Sequence, residues 1–202
     1  MICAIVLAAG ESRRMGTQKL LLPFGSTTVV GHIVGQLLNS AVDKAFVVTG
    51  HDADTVAGAL AALRARITIV HNPEYRSGML SSVRCGLRAL PPEARGVLIA
   101  LGDQPAINAS LVNDLIQAFA KRAKGIVVPA YEGRRGHPLL FATRYSDEIL
   151  TLYGDTGLRG LLHAHPDDVL EVSASTPAVV SDMDFPEDYR REIEEQQHKS
   201  PH

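Results

Sequence analysis

Short apolar runs alternating with helical patterns constrain this chain more than any other feature. Residues 2–7, 45–49, 67–70, 97–101 and 126–129 are strand-length and apolar. Helical patterns lie between them. The first covers 28–39, with Val29, Val30, Ile33, Val34, Leu37 and Leu38 as its apolar positions. The second covers 54–63, with Asp52 or Asp54 as its cap. The third covers 80–90 and stops at Pro91 and Pro92, and the fourth covers about 110–121. This alternation specifies an α/β fold, a mostly parallel sheet covered by helices. Further along, 133–137 reads as a polar turn and 138–141 as extended chain. A helix follows Gly157 through His163, and 168–172 and 178–180 read as short strands. The chain closes with a charged helix at 186–197, proline near its start, and a frayed tail at 198–202.

With 202 residues and no repeat, low-complexity block or long linker, the chain is expected to form one domain over 1–197. A net charge of −2 gives no general attraction to nucleic acid or anionic membranes, so any anion site must be local. Aromatic residues make up 5% with no tryptophan, which argues against a base-stacking platform for single strands. Cys3 and Cys85 lack metal-ligand spacing and are expected to be buried thiols. The first apolar run is too short and lacks the basic flank of a signal peptide, and no segment reaches membrane-spanning length. A cytoplasmic location is the default expectation.

The segment after the first strand is the richest in chemistry. Leu7, Ala8, Ala9 and Gly10 are followed by Ser12, Arg13, Arg14, Gly16 and Lys19. Small residues let the backbone approach a ligand, and a turn leaving a strand can aim several N–H groups at one anion while nearby cations add charge-assisted bonds. The segment is neither a P-loop nor a dinucleotide fingerprint, because the spacing of Gly10 and Gly16 fits neither. Its simpler reading is a solvated basic loop.

Other polar features also follow apolar runs, where an open parallel sheet places its ligand crevice. Asp103 stands between Gly102 and Pro105, in a position suited to Mg²⁺, which favours one or two carboxylates plus phosphate oxygens. Alternatively it caps the next turn. Asp182 and Asp184 come late, where Asp184 either caps the final helix or completes a metal site. Between Asn72 and Ser82, a flexible Gly78 and hydroxyls at a helix start form either an N-cap using Ser77, Ser81 or Ser82 or a pocket wall for a base or sugar. Residues 133–138 hold Arg134 and Arg135 between two glycines, followed by His137, as a hairpin turn or as a contact for a second anionic substrate. The hydrolase elbow is absent, since Gly10-Glu11-Ser12 does not fit it.

In chain order, these motifs together with Leu21-Leu22-Pro23-Phe24-Gly25, Gly154-Asp155-Thr156-Gly157-Leu158-Arg159 and the run from Asp182 to Tyr189 resemble the MobA-like NTP transferases that mature the molybdenum cofactor. The resemblance spans almost the whole chain. It implies a Rossmann-like, three-layer αβα fold of glycosyltransferase-A type. It also implies that Leu7, Ala8, Ala9, Gly10, Ser12, Gly78, Ser81 and Ser82 approach the nucleotide. By the same likeness Arg13 and Lys19 act on its phosphates, Asp103 and Asp184 hold Mg²⁺, and Arg135 and His137 face the acceptor. Leu-Ala-Ala-Gly in the first motif and Gly-Met-Leu-Ser-Ser in the base loop resemble the CTP-using branch. The guanylyltransferase branch typically has Leu-Ala-Gly-Gly and Gly-Pro-Leu-x-Gly. Phe185 departs from the pattern, standing where relatives often carry threonine.

The implied reaction is cytidylyl transfer from CTP to the terminal phosphate of the molybdopterin cofactor, with a molybdenum hydroxylase as the client. Rival readings are transfer to a sugar or alcohol phosphate, a non-catalytic cofactor carrier, and a nicotinamide-dependent oxidoreductase. The missing G-x-G-x-x-G disfavours the last.

Overall fold

A computed structural model describes residues 1–121 and 124–199. The strands are β1 (Ile2–Ala8), β2 (Pro23–Phe24), β3 (Thr27–Thr28), β4 (Lys44–Thr49), β5 (Ile67–His71), β6 (Gly96–Leu101), β7 (Ile126–Tyr131), β8 (Arg134–Arg135), β9 (Leu139–Ala142) and β10 (Val169–Ser173). The α-helices are α1 (Val29–Leu38), α2 (Ala53–Ala59), α3 (Met79–Arg88), α4 (Ala109–Ala120), α5 (Ser146–Thr151), α6 (Leu158–Ala164) and α7 (Pro186–Lys199).

The main sheet runs β10-β7-β9-β6-β1-β4-β5, with β8 paired to β7. β1 pairs in parallel with both β4 and β6, and β10 in parallel with β7. Among the described residues of this sheet, β9 and the short β8 run antiparallel, and β2 and β3 form a separate antiparallel pair. The expected mostly parallel α/β architecture is therefore present. The chain moves outward from β1 to β4 and β5, then returns to β6 on the other side, so the order reverses beside β1. In parallel sheets that reversal opens a crevice at the carboxyl ends of the strands.

Side chains along β1 alternate between two cores, as the strand period requires. Ala4, Val6 and Ala8 face α1, α2 and α4, and Cys3 and Ile5 face α3, α5 and α6. β6 divides in the same way, with Leu98 and Ala100 on the first side and Val97 and Ile99 on the second. Both faces are covered, which makes three layers. Among the described residues no helix is long and apolar enough to cross a membrane. Cys3 is buried and Cys85 half-buried on α3, and both are free thiols.

Several local expectations change. α2 ends at Ala59 and continues only as a 3₁₀ segment, Ala61–Arg66, so the single helix expected over 54–63 is divided. Asp52 sits at the head of α2 with φ of 51° and its carboxylate does not cap the helix; it accepts from Gln18 instead. Helices α1 and α4 are capped by Thr28 and Asn108, whose side chains accept from Gly31 N at 3.2 Å and Leu111 N at 3.0 Å. The strand expected at 178–180 is a 3₁₀ turn, Pro177–Val180. Pro177 has no N–H to give a ladder, and the Thr176 hydroxyl accepts from Ala178 N, which stabilises the turn. The last helix extends to Lys199, beyond the expected fraying point, and residues 200–202 of the expected tail lie outside the described residues.

Asp184 does not cap α7. The cap is half of a capping box, in which the Asp188 carboxylate reaches back to Phe185 N at 2.9 Å and Asp184 N at 3.1 Å. Its pKa is lowered: burial opposes the charge, but these backbone bonds and Arg191 outweigh it. Phe185 holds the N-cap position without an oxygen to offer and leaves its side chain 51% exposed. Phe185→Thr supplies the missing acceptor. The cap is expected to add about 1 kcal/mol, offset in part by the half-buried ring and its contact with the Arg14 guanidinium at 6.0 Å, so Tm in calorimetry is expected to rise by no more than about 2–4 °C.

Candidate active site

The loops after β1, β5 and β6 meet at one open crevice of about 640 Å³. Leu7, Ala9, Gly10, Ser12, Arg13 and Lys19 line it from the first loop. Gly78 and Ser82 line it from the start of α3, and Asp103 and Asp184 from the end of β6 and the run into α7. Three sequence-distant features thus share one cavity. Ala8 is fully buried in the core and gives the crevice no side-chain surface. Ser81 is turned away, its hydroxyl donating to the carbonyls of Glu74 and Gly78 and accepting from Asn72. None of Ser77, Ser81 and Ser82 caps α3, whose N-cap position is Gly78. Asn72 Nδ2 also donates to Ser82 at 3.0 Å, so one buried amide fixes both hydroxyls.

The first loop is braced from within. Ser12, at φ of 52°, accepts from Lys19 N at 3.2 Å and donates to Gln18 Oε1 at 2.7 Å, while Gln18 Nε2 donates to Gly10 O at 3.1 Å. A Cβ on Gly10 would meet nothing within 4 Å, so this stretch of backbone faces open space. The brace aims Lys19 inward, leaving its side chain only 13% exposed.

Lys19 Nζ lies 2.6 Å from Asp103 Oδ2 and 2.9 Å from Asp184 Oδ1. Burial pulls the ammonium pKa down, but the two carboxylates outweigh it and hold the group above its ordinary value. Burial pushes the Asp103 carboxyl up, with Lys19 opposing and Asp182 adding to the rise. Arg14 pairs with the second oxygen of Asp184. Arg13 pairs with Glu11, whose carboxylate also receives Arg76 Nε at 3.0 Å from the base loop.

Glu11, Tyr75, Arg76, Met79 and Asp182 also line the crevice. Of these, Asp182 is the one the sequence singles out by itself, while Glu11, Tyr75, Arg76 and Met79 enter it as members of the first loop and of the 72–82 segment. The available signal is a carboxylate, Glu11, placed just before the cations Arg13 and Arg14 on one loop. Asp182 Oδ1 accepts from the buried Gln104 at 2.8 Å, and Met183 N donates to Asp103 O at 3.2 Å, which fastens this segment to the end of β6.

The structure does not bring Arg135 to the crevice. Arg135 lies on β8 and its Nε donates to Glu171 on β10 at 2.7 Å. The segment around it is the hairpin of the simpler reading, with Glu132 and Gly133 at φ of 48° and 74° in the turn. His137 is largely buried near Asp182 and Asp103 without lining the crevice. Burial lowers its pKa against the pull of those carboxylates, which favours a neutral imidazole. Its backbone N–H donates to Val179 O at 2.8 Å.

The donor set fits Mg²⁺. Asp103 and Asp184 bracket one ammonium, so their hard oxygens converge on a cation-sized position beside an open cavity. Among the described residues no cluster of three or more His, Cys, Asp or Glu could hold a metal alone. Two carboxylates completed by phosphate oxygens and water suit this ion better than a closed cage.

A parallel sheet reversing beside its first strand, a cation-bearing turn after that strand and paired carboxylates across the crevice define a nucleotidyltransferase. The sequence model of the MobA-like NTP transferase domain matches residues 4–169, and the chain belongs to that family. The molybdenum cofactor cytidylyltransferase of Escherichia coli K12 is 27% identical over 188 residues, covering 93% of each chain. Among solved structures, Rv0371c from Mycobacterium tuberculosis H37Rv is 32% identical with a TM-score of 0.82, covering 96% of this chain and 98% of that one. A complex of Rv0371c with manganese also matches, at a TM-score of 0.75 and 31% identity over 96% of this chain and 98% of that one. A nucleotidyl transferase from Methanothermobacter thermautotrophicus superposes with a TM-score of 0.85 at 28% identity, over 99% of both chains.

The seat of the segment bearing Asp182 and Asp184 depends on Gly136. A Cβ there would lie 1.8 Å from Val179 O, which is main chain and cannot rotate away. Gly136→Ala is expected to cost about 1–3 kcal/mol in urea unfolding. By displacing Asp184 it should also lower nucleotidyl transfer, read as pyrophosphate release, more than tenfold.

Proposed function

We propose that this enzyme transfers CMP from CTP to the terminal phosphate of the molybdopterin cofactor and releases pyrophosphate. The observation that carries the reading is the convergence of Lys19, Asp103 and Asp184 in the crevice. The acceptor phosphate is already anionic, so no protein nucleophile is required. Catalysis is then positioning and charge neutralisation.

In this reading the backbone around Ala9 and Gly10 approaches the nucleotide, and Gly78 and Ser82 face its base and sugar. Lys19 stabilises charge building on the α-phosphate, and Arg13 leaves Glu11 to hold the departing pyrophosphate. Mg²⁺ held by Asp103 and Asp184 would neutralise phosphate charge. His137, which lies behind the crevice near Asp182, would contribute to the acceptor side as a neutral hydrogen-bonding group only if that side opens to it. Arg135, tied to Glu171, must exchange that partner to reach an acceptor. The choice of CTP is supported by Ala9 and by the Met79-Leu80-Ser81-Ser82 sequence, which resemble the CTP-using branch. A cytoplasmic setting and a molybdenum hydroxylase client belong to the same reading.

The test is pyrophosphate release with Mg²⁺ and purified molybdenum cofactor, comparing CTP, GTP, ATP and UTP. Release with CTP is expected, with the other three far slower. Preference for GTP would keep the chemistry and overturn the base assignment. Lys19→Ala and Asp103→Ala are each expected to remove turnover while circular dichroism shows the fold intact. Full activity in either soluble variant would refute the assigned chemistry.

A further inference from the structure

Lys19 is asked to do two things that cannot be done at once. Its ammonium stands within hydrogen-bond distance of both carboxylates that would hold the metal, at 2.6 and 2.9 Å. A divalent ion bound by those oxygens and an ammonium in the same position would place two cations in contact. Occupation by one requires departure of the other. We infer that Lys19 is the resident counter-ion of Asp103 and Asp184 in the nucleotide-free enzyme, and that the metal gains both carboxylates only when nucleotide phosphates draw the lysine away. This inference rests on the proposed assignment of the two aspartates as metal ligands.

The surroundings fit a side chain that exchanges partners while its backbone stays fixed. Lys19 N is anchored to Ser12 Oγ, and the Ser12–Gln18–Gly10 bonds brace the loop, so only the flexible stem needs to move. Asp184 is anchored through the contact of its N–H with Asp188, and Asp103 through the bond its carbonyl accepts from Met183. The carboxylates therefore keep their places when the ammonium leaves. Their side chains are 20% and 34% exposed, so without a cation between them the two like charges repel, and Arg14 on the far oxygen of Asp184 offsets only part of that repulsion. The tethered lysine acts at high effective concentration and holds the position against free metal. The triphosphate of a nucleotide changes this balance from both sides. It offers the ammonium a new anionic partner and offers the metal the oxygens that the protein does not supply. Metal and nucleotide then enter as a pair, each raising the affinity for the other by the same factor.

The experiment titrates Mn²⁺ into the full chain at pH 8, with and without CTP and with no acceptor, and follows free Mn²⁺ by electron paramagnetic resonance. Lys19→Met is expected to bind Mn²⁺ alone about tenfold more tightly than the parent, and CTP to tighten that binding by a smaller factor than in the parent. Equal or weaker binding of Mn²⁺ alone overturns the inference. Lys19→Gln serves in the same way where Lys19→Met does not fold. The doubly substituted chain, Asp103→Asn with Asp184→Asn, separates the two possible failures. If it keeps parental Mn²⁺ affinity in the presence of CTP, the metal assignment falls and takes this inference with it. If that affinity is lost while Lys19→Met leaves binding of Mn²⁺ alone unchanged, only the counter-ion role falls.

Discussion

The pairing of β1 with β6 is the constraint on which the crevice depends. These strands are hydrogen-bonded neighbours at the point where the sheet order reverses, and the ladder continues past them through Gly102 N to Leu7 O at 3.0 Å. A Cβ on Gly102 would lie 2.7 Å from that carbonyl, so only glycine lets the two strand ends leave the sheet side by side. Asp103 is the next residue, and the first loop leaves beside it. The contact between Lys19 and Asp103 follows from this adjacency, and the rest of the charge arrangement is organised around it.

Each cation of the first loop already has a carboxylate. Arg13 is held by Glu11, Arg14 by Asp184, and Lys19 by Asp103 and Asp184 together. The crevice is thus close to balanced internally, in keeping with a chain whose overall charge is only −2. A polyphosphate entering it would exchange ion pairs rather than fall into a bare positive pocket. The cost of breaking the old pairs is set against the gain from the new ones, which makes discrimination depend on geometry more than on charge. The Glu11–Arg76 bond adds a tie between the first loop and the base loop, so the two walls do not respond independently.

Much of this was legible in the sequence because it rests on short-range rules. The apolar runs specify strands, the alternation specifies a parallel sheet, and the position of crevices in such sheets brings Gly10, Asp103 and Gly78 together. The errors occur where a local rule met a competing partner. Asp52 and Asp184 look like caps by position, but Gln18 takes the first and the ammonium and guanidinium of Lys19 and Arg14 take the second. Residues 178–180 are apolar enough for a strand, but Pro177 removes a donor and Thr176 favours a turn. Ser81 looks like a pocket hydroxyl until Asn72 and two carbonyls claim it. Arg135 looks free until the sheet order places Glu171 beside it, and that order is not written in any local pattern.

The seat of Asp184 has a consequence for how the protein is made. β1 leaves the ribosome long before α7, yet the carboxylate that completes its loop's ion pairs sits at the entrance to α7. Domains fold from the N-terminus as they emerge, and contacts between distant segments close late. A nascent chain can thus assemble most of its sheet while Arg14 lacks its partner and Lys19 has only one of two. The ion pairs at the crevice are complete only when the segment entering α7 docks, so a chain interrupted before Asp184 carries a nearly complete sheet and an open charge arrangement.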